Sequence, residues 1–459
     1  MRLTQLRIQN YRCFSDFSIE LHPDLTVLIA PNGAGKTTVL DAARVALWPF
    51  VKGFDLGSQT GKAATIDPSD VRLRMQSDGN MEPQLPSCIA VTGRWSPHLP
   101  DDEWAQTRER IKASTKTLGD NHTKKLTAYA EKLQKEARDA ASRVTLPLIT
   151  YLGTSRLWYE GRFTSHAADT TLNKNEYSRT SGYLNCLSYS SSFKAFTAWY
   201  GWVYRSYLES QIDAFQRQTT LDETGQRFAQ TVEVIKQAVD ALVKDATGWH
   251  SLEYSQRHNQ QLVMLHPQHG VMAVDKLSDG LRNAIAMVAD MAFRAYKLNP
   301  HLGAKAALET PGVALIDEVD MFLHPSWQQT ILRSLRTAFP QLQFIVTTHS
   351  PQVLSTVSRD HIRVLDLTEA GTTVRLPDFS PLAHESGDAL SKIMGTHREP
   401  PIALQDDIRI YEQLVRAGKE GDADAQALRT KLDSEGYQFH ESDLVTWRFL
   451  AARRIGGMG

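Results

Sequence analysis

The 459-residue chain carries 51 Lys plus Arg against 52 Asp plus Glu, a formal net charge of −1, and 41% of its residues are hydrophobic. That balance excludes a whole-chain basic field, so any contact with nucleic acid must come from a local patch, while the apolar content suffices for a large core and two or three domains. Cys13, Cys88 and Cys186 are isolated, with no Cys-x-x-Cys pair, and no apolar run reaches signal-peptide or membrane length; a disulfide framework, a zinc ribbon and a membrane span are excluded, and a cytoplasmic protein is expected.

At the N-terminus, Leu3, Leu6 and Ile8 begin one strand and residues 14–21 alternate as a second. The apolar run 25–30 then leads into Ala30-Pro31-Asn32-Gly33-Ala34-Gly35-Lys36-Thr37-Thr38, followed by a helix-compatible stretch. Strand, small-residue loop and helix start make a phosphate-binding loop. Small residues let successive backbone N–H groups curl around an anion, Lys36 adds a point charge to the outer phosphates, and the Thr37 hydroxyl can ligate Mg²⁺. Ala30 stands where Gly is commonest in such loops.

Residues 101–143 are polar and rich in helix formers, with a break at Gly119-Asp-Asn, and read as a solvated helical hairpin. Its Lys124, Lys125, Lys132 and Lys135 are candidates for a phosphate backbone, although a charge-mixed helix is usually a wet face. Residues 146–153 read as a strand, and a polar, Tyr-rich loop runs to about 190. Phe193, Phe196, Trp199, Tyr200, Val203 and Tyr207 fall at helical intervals, a stripe suited to base stacking or, more commonly, to a core. Residues 224–247 form an amphipathic helix, and two strands follow near 252–255 and 261–266.

Three further elements carry chemistry. Leu277-Ser278-Asp279-Gly280-Leu281-Arg282 precedes an amphipathic helix. Gly312-Val-Ala-Leu-Ile-Asp317-Glu318 is a buried-strand run ending in paired acids that resembles the Walker B motif, a likeness that implies Asp317 holding Mg²⁺, directly or through water, and Glu318 polarising an attacking water. Gln343-Phe-Ile-Val-Thr-Thr-His349-Ser-Pro ends another apolar strand in a histidine. After about 380 the chain turns helical and polar, with breaks near 395–401 and 418–421.

In this order the four elements resemble ABC-type P-loop ATPases of the SMC and RecF branch: Walker A, the Leu-Ser-x-Gly-x-Arg signature, Walker B and the switch His. Ile8-Gln-Asn-Tyr-Arg12-Cys-Phe14 is also similar to that branch's N-terminal run and implies Arg12 near the nucleotide. Asn32 would face the γ-phosphate, and Val319-Asp-Met-Phe-Leu-His324-Pro resembles the D-loop; no glutamine stands out as a Q-loop. The resemblance implies an α/β ABC-type ATPase head, a mixed sheet with an antiparallel lobe, a helical insertion and a small C-terminal helical region. The expected division is 1–95, 96–250 (mainly helical insertion), 251–380 and 381–459.

It implies ATP and Mg²⁺ as cofactors, with catalytic Glu318, His349 and Lys36, metal-binding Thr37 and Asp317, and nucleotide contacts from Arg12, residues 30–38, Ser278, Asp279 and Gly280. In such engines the signature serine caps the γ-phosphate of an opposite subunit, so homo-oligomerisation through paired heads is expected. The strings Leu148-Ile-Thr-Tyr-Leu-Gly-Thr-Ser-Arg156-Leu-Trp158, Gly182-Tyr-Leu-Asn-Cys-Leu, Phe193-Lys-Ala-Phe-x-x-Trp199 and Gly387-Asp-Ala-Leu-Ser-Lys-Ile-Met-Gly395 resemble the ATPase subunit of Septu antiphage systems and its retron-associated relatives. That likeness implies a separate HNH-type nuclease as partner, with no nuclease set in this chain. Ile402, Ile408, Tyr411, Leu414 and Val415 would form the docking face, unless they simply pack on the second lobe. The competing class is a RecF-like repair clamp binding DNA directly; a third is a nucleotide-dependent scaffold that barely hydrolyses ATP.

Overall fold

The computed structural model describes all residues except 59–62, 97, 113–114, 140–141, 155–177, 189–192, 370, 397–401, 440 and 457–459. Arg156 and Trp158, most of the expected Tyr-rich loop and much of the break near 395–401 therefore lie outside the described residues. The chain divides into two compact units, Met1–Ala389 and Leu390–Gly459.

The first unit is built on two sheets. β1 (Arg2–Tyr11) and β2 (Phe14–Glu20) pair antiparallel with Leu6 opposite Ile19 and Ile8 opposite Phe17, as their alternation predicts. With β3 (Leu25–Ile29) they form the expected N-terminal series. A hairpin of β4 (Leu73–Met75) and β5 (Met81–Pro83) follows. β6 (Ser87–Arg94), β7 (Asp102–Arg108) and β8 (Leu118–Gly119) then extend the first sheet in the order β2-β1-β6-β7-β8.

The second sheet holds β9 (Leu148–Leu152), β13 (Gly312–Ile316), β14 (Leu342–Thr347), β3 and β15 (Ile362–Thr368) in parallel, closed by antiparallel β16 (Gly371–Arg375). β3, β9, β13 and β14 are buried at every residue, because a parallel sheet covered on both faces selects continuous apolar runs. A third, antiparallel sheet contains β10 (His250–Ser255), β11 (Gln261–His266) and β12 (Gly270–Ala273).

Between the first two sheets runs the phosphate-loop helix, Lys36–Lys52, in which every residue but Thr37 and Lys52 is buried. Its sequence is largely apolar around its circumference, the pattern of a helix enclosed on all sides, with the buried charges Asp41 and Arg44 paired to each other and Asp41 also to Arg12. Pro49 lies inside it and has no N–H for the carbonyl of Val45. Gln106 Nε2 on β7 donates to that carbonyl, and Trp104 Nε1 donates to Ala46 O at 2.8 Å.

This corrects the expected helical hairpin over 101–143. Only its second half is helical, Asn121–Arg138, with Asp120 accepting from Thr123 N as N-cap. The first half is β7, whose inward residues are Trp104, Gln106 and Arg108. Two of these three are polar, so the strand lacks an apolar alternation; their partners are backbone carbonyls of Val45, Ile66 and Lys112. Within 96–250, expected as a mainly helical insertion, β7 and β9 each join a main sheet. Lys124, Lys125, Lys132 and Lys135 are exposed, while Leu126, Ala130 and Leu133 face inward.

The long helices Phe193–Gln216 and Glu223–Thr247 pack with the helix Asp279–Leu298. Phe196, Trp199, Tyr200 and Val203 are buried, so the aromatic stripe is chiefly core. No described helix is long and apolar enough to cross a membrane.

The second unit contains the helices Ala403–Arg416, Ala423–Ser434 and Glu441–Gly456. Ile408, Tyr411 and Val415 are buried with Ala425 and Leu432, and Leu414, Phe439 and Trp447 pack against them. The expected docking face is thereby corrected. Apart from exposed Ile402, these residues form or pack against the unit's own small core, the internal burial that three short helices need in order to hold together.

Candidate functional site

The carboxyl ends of β3, β13 and β14 carry the expected groups, at the edge where open α/β sheets place ligands. After β3 the loop rises to an exposed crest at Pro31, Asn32 and Gly33, then turns back through Ala34 and Gly35. Gly33 has φ +82° and Gly35 φ +100°. A Cβ on Gly35 would lie 2.5 Å from Phe14 Cζ and 2.9 Å from Cys13 Sγ, so both backbone and space demand glycine there. Gly35 is the helix N-cap and offers no side chain to the first-turn N–H groups, which helix geometry leaves without internal partners. This is an anion cradle.

Lys36 is 8% exposed and lays its ammonium across the loop, donating to Ala30 O at 2.8 Å and Pro31 O at 3.4 Å. Burial lowers its pKa, with Asp317 and Glu318 acting in the opposite direction. Thr37 Oγ1 donates to Asp317 Oδ2 at 2.9 Å, and Thr347 Oγ1 donates to Asp317 Oδ1 at 2.6 Å. Asp317 N bonds Leu152 O at 2.8 Å, which ties the acid to β9. Glu318 has φ +48°, a left-handed conformation for a non-glycine residue, held by its N–H on Thr347 Oγ1 at 2.7 Å. Such strain, typically about 1–3 kcal/mol, persists where surrounding contacts over-determine it. Thr347 was not anticipated as a site residue; the Thr-Thr pair preceding His349 was its signal.

The structure brings the signature and the segment after Walker B together. A Cβ on Gly280 would lie 2.2 Å from Phe322 O, and Asn283 Nδ2 donates to Met321 O at 3.3 Å. Phe322 has φ +64° and is 51% exposed. Thr348 Oγ1 donates to Asp320 Oδ1 at 2.5 Å, and Ser350 Oγ donates to Gln328 Oε1 at 2.7 Å, binding the switch segment to the D-loop. His349 is half-buried, and its ring makes no hydrogen bond to a described residue. Ser278 is exposed and is the N-cap of Asp279–Leu298, yet its side chain accepts no capping hydrogen bond; Asp279 instead pairs with Arg282.

Arg12, expected as a nucleotide contact, has its guanidinium held by two carboxylates. The turn that bears it lies against the loop, with Cys13 Sγ 3.8 Å from Thr38 Oγ1, but the guanidinium is engaged by Asp41 and by Asp70 at 2.9 Å. Burial opposes its charge, and Tyr11, Asp41 and Asp70 outweigh burial and raise the pKa. Arg12 thus fastens the turn to the phosphate-loop helix.

Thr37 and Asp317 form a hard-oxygen pair suited to Mg²⁺, which takes one or two protein oxygens beside substrate phosphates. Among the described residues no cluster of three His, Cys, Asp or Glu competes as a metal centre.

A family profile described as AAA domain matches residues 5–261, more than half the chain. A retron Vc95 probable ATPase of Vibrio cholerae is 24% identical over 92% of this chain and 84% of its own length. A retron Ec83 probable ATPase of Escherichia coli is likewise 24% identical, over 99% of this chain and 87% of its own. A Septu protein PtuA of Bacillus mycoides is 34% identical over 28% of this chain and 18% of its own. With the phosphate loop and the paired acids joined at one sheet edge, the chain belongs to the AAA domain family, as an ABC-type P-loop ATPase similar to retron and Septu ATPases.

Proposed function

We propose that the chain is the ATP-hydrolysing regulatory subunit of an antiphage complex, in which two heads close over ATP and their open or closed state governs a separate HNH-type nuclease. The observation that carries the reading is the network Thr37–Asp317–Thr347–Glu318, which joins the phosphate loop, Walker B and the switch strand. The retron and Septu relatives support the defence role.

Each residue has a physical task. The first-turn N–H groups and Lys36 hold the outer phosphates. Thr37 and Asp317 would hold Mg²⁺, which supplies charge neutralisation to the phosphates when bound. Glu318, its backbone pinned by Thr347, polarises the attacking water, and His349 at the end of the switch strand senses the γ-phosphate. Ser278 and the positive end of its helix reach the γ-phosphate of a second copy, with Asp279 and Gly280 shaping the approach. Loss of that phosphate removes the shared anion and loosens the pair, a two-state switch.

The test is Glu318→Gln. Removing a general base should lower ATP turnover by about 10²–10⁴-fold, while light scattering after size exclusion reports an ATP-dependent assembly that persists. Co-expression with the adjacent gene should yield a co-eluting HNH protein by mass spectrometry. An unchanged turnover rate would remove Glu318 from the chemistry and favour the scaffold class; ATP-dependent dimers that bind duplex DNA and carry no nuclease would favour the repair clamp.

A further inference from the structure

A cleft of about 220 Å³ opens between the helices Phe193–Gln216, Glu223–Thr247 and Asp279–Leu298, with no phosphate-loop residue among its described lining. Its walls include Trp199, Trp202, Phe228 and Tyr296, a concentration of rings in a chain that is only 8% aromatic. Trp202 and Phe228 are half-buried and meet nearly edge to face, with centroids 5.4 Å apart. Trp199 is anchored from behind by Phe293 at 4.5 Å, and the Tyr296 hydroxyl donates to Arg227 O at 3.2 Å. The rings are therefore fixed before any ligand arrives.

Three cations share the lining. The Lys297 ammonium sits 5.6 Å from the centre of the Trp199 ring. Arg179 is oriented by its Nε on Leu298 O at 2.7 Å. Arg227 pairs with Glu223 at 2.5 Å, but these side chains are 68% and 82% exposed, so the pair is weak and exchangeable. No carboxylate is among the described lining residues, in a chain whose acids slightly outnumber its bases. An apolar peptide would leave this charge unmatched. Aromatic faces with a cationic rim match a planar heterocycle attached to a phosphate.

We propose that this cleft binds a nucleobase with its phosphate, supplied by a single-stranded nucleic acid or by a free nucleotide. The site is separate from the ATP site and goes beyond the function proposed above. Tyr296 and Lys297 lie in the last turn of the helix whose N-cap is Ser278, so an occupant touches the far end of the signature helix.

The experiment measures binding of a fluorescein-labelled, 5′-phosphorylated oligothymidylate to the full chain by anisotropy, with thymidine monophosphate as competitor. Trp202→Leu and Phe228→Leu should each weaken binding about tenfold, the effect of losing one stacking face. Arg227→Glu should weaken it and flatten its salt dependence, while basal ATP turnover of all three variants stays at the wild-type value. Retention of binding in Lys36→Ala assigns it away from the phosphate loop. Competition by the monophosphate identifies a free nucleotide as sufficient; binding of the oligomer alone identifies the strand. Absence of binding by both probes, or undiminished binding in Trp202→Leu and Phe228→Leu, overturns the proposal.

Discussion

The phosphate-loop side of the ATPase unit and its signature side are finished to different degrees. Lys36, Thr37, Asp317 and the Glu318 backbone all find partners inside the chain, at 2.6–2.9 Å for their shortest contacts. Ser278 occupies an N-cap position that serine favours, yet its side chain caps nothing. One side has its hydrogen bonding completed by its own fold, and the other presents a helix start without its usual internal partner. That asymmetry suits a site assembled from two chains, one supplying the cradle and the other the cap.

The sharpest way to break this comparison is to divide the two halves between different molecules. Lys36→Ala and Ser278→Arg should each lower ATP turnover by about 10²-fold or more through lost transition-state contacts. Mixing the two inactive proteins places an intact cradle and an intact signature at one of the two sites of a heterodimer, so turnover should reappear in a colorimetric phosphate assay. If each variant stays inactive when mixed, although both still assemble, the signature acts within its own chain.

A second test acts on the contact between the halves. Gly280→Ala puts a methyl group against Phe322 O, where only 2.2 Å is available to a Cβ, and the backbone cannot yield as a flexible side chain would. Overpacking of this kind costs about 1–3 kcal/mol. A lower Tm and a fall in turnover exceeding any fall in ATP affinity are expected. A variant with wild-type kcat would mean that the signature helix and the D-loop move independently.

What was legible in the sequence follows from the same contrast. Lys36, Thr37, Asp317 and Glu318 could be singled out as candidates because phosphate and Mg²⁺ chemistry favours those residue types at fixed spacings on a strand end, and the fold brings them together. Thr347 was harder: a threonine at the end of an apolar strand reads as β-former, and its role appears only when β13 and β14 lie side by side. β7 was lost because its inward glutamine answers a proline far away in the chain, and a window of neighbouring residues does not contain that reason. Ile408, Tyr411 and Val415 were legible as an apolar face, but a face alone does not say whether its partner is another protein or the next helix.

Gln106 allows the hidden part of this design to be measured. Gln106→Leu keeps most of the volume and removes the donor to Val45 O, leaving a buried carbonyl unsatisfied at a cost of about 1–3 kcal/mol. Ser278→Ala, at a cap that makes no hydrogen bond, should leave the Tm of the chain unchanged. Denaturant melts of the two variants separate a residue that serves the fold from one proposed to serve a second chain.

The smallest expected effect lies at the opposite end of β3 from the phosphate loop. The His22 and His361 rings are 4.3 Å apart, and His22 Nδ1 accepts from Asp24 N at 3.2 Å, which requires that nitrogen to be unprotonated. Burial lowers both pKa values; for His361 the neighbouring His22 and Arg336 add to it, and for His22 Arg363 and Arg336 do, partly offset by Asp24 and Asp360. The unfolded chain therefore binds these protons more readily than the folded one. The stability contributed by the neutral pair is complete above the unfolded value of about 6.5 and is lost as pH falls below it. Both rings are substantially solvated, so the shift is modest. Wild-type Tm should drop between about pH 7.5 and pH 5.5 by more than that of the His22→Gln/His361→Gln variant. ATP-dependent assembly should respond equally in both proteins, because these rings sit away from cradle and cap alike; a difference in assembly would place a proton-sensitive step in the switch itself.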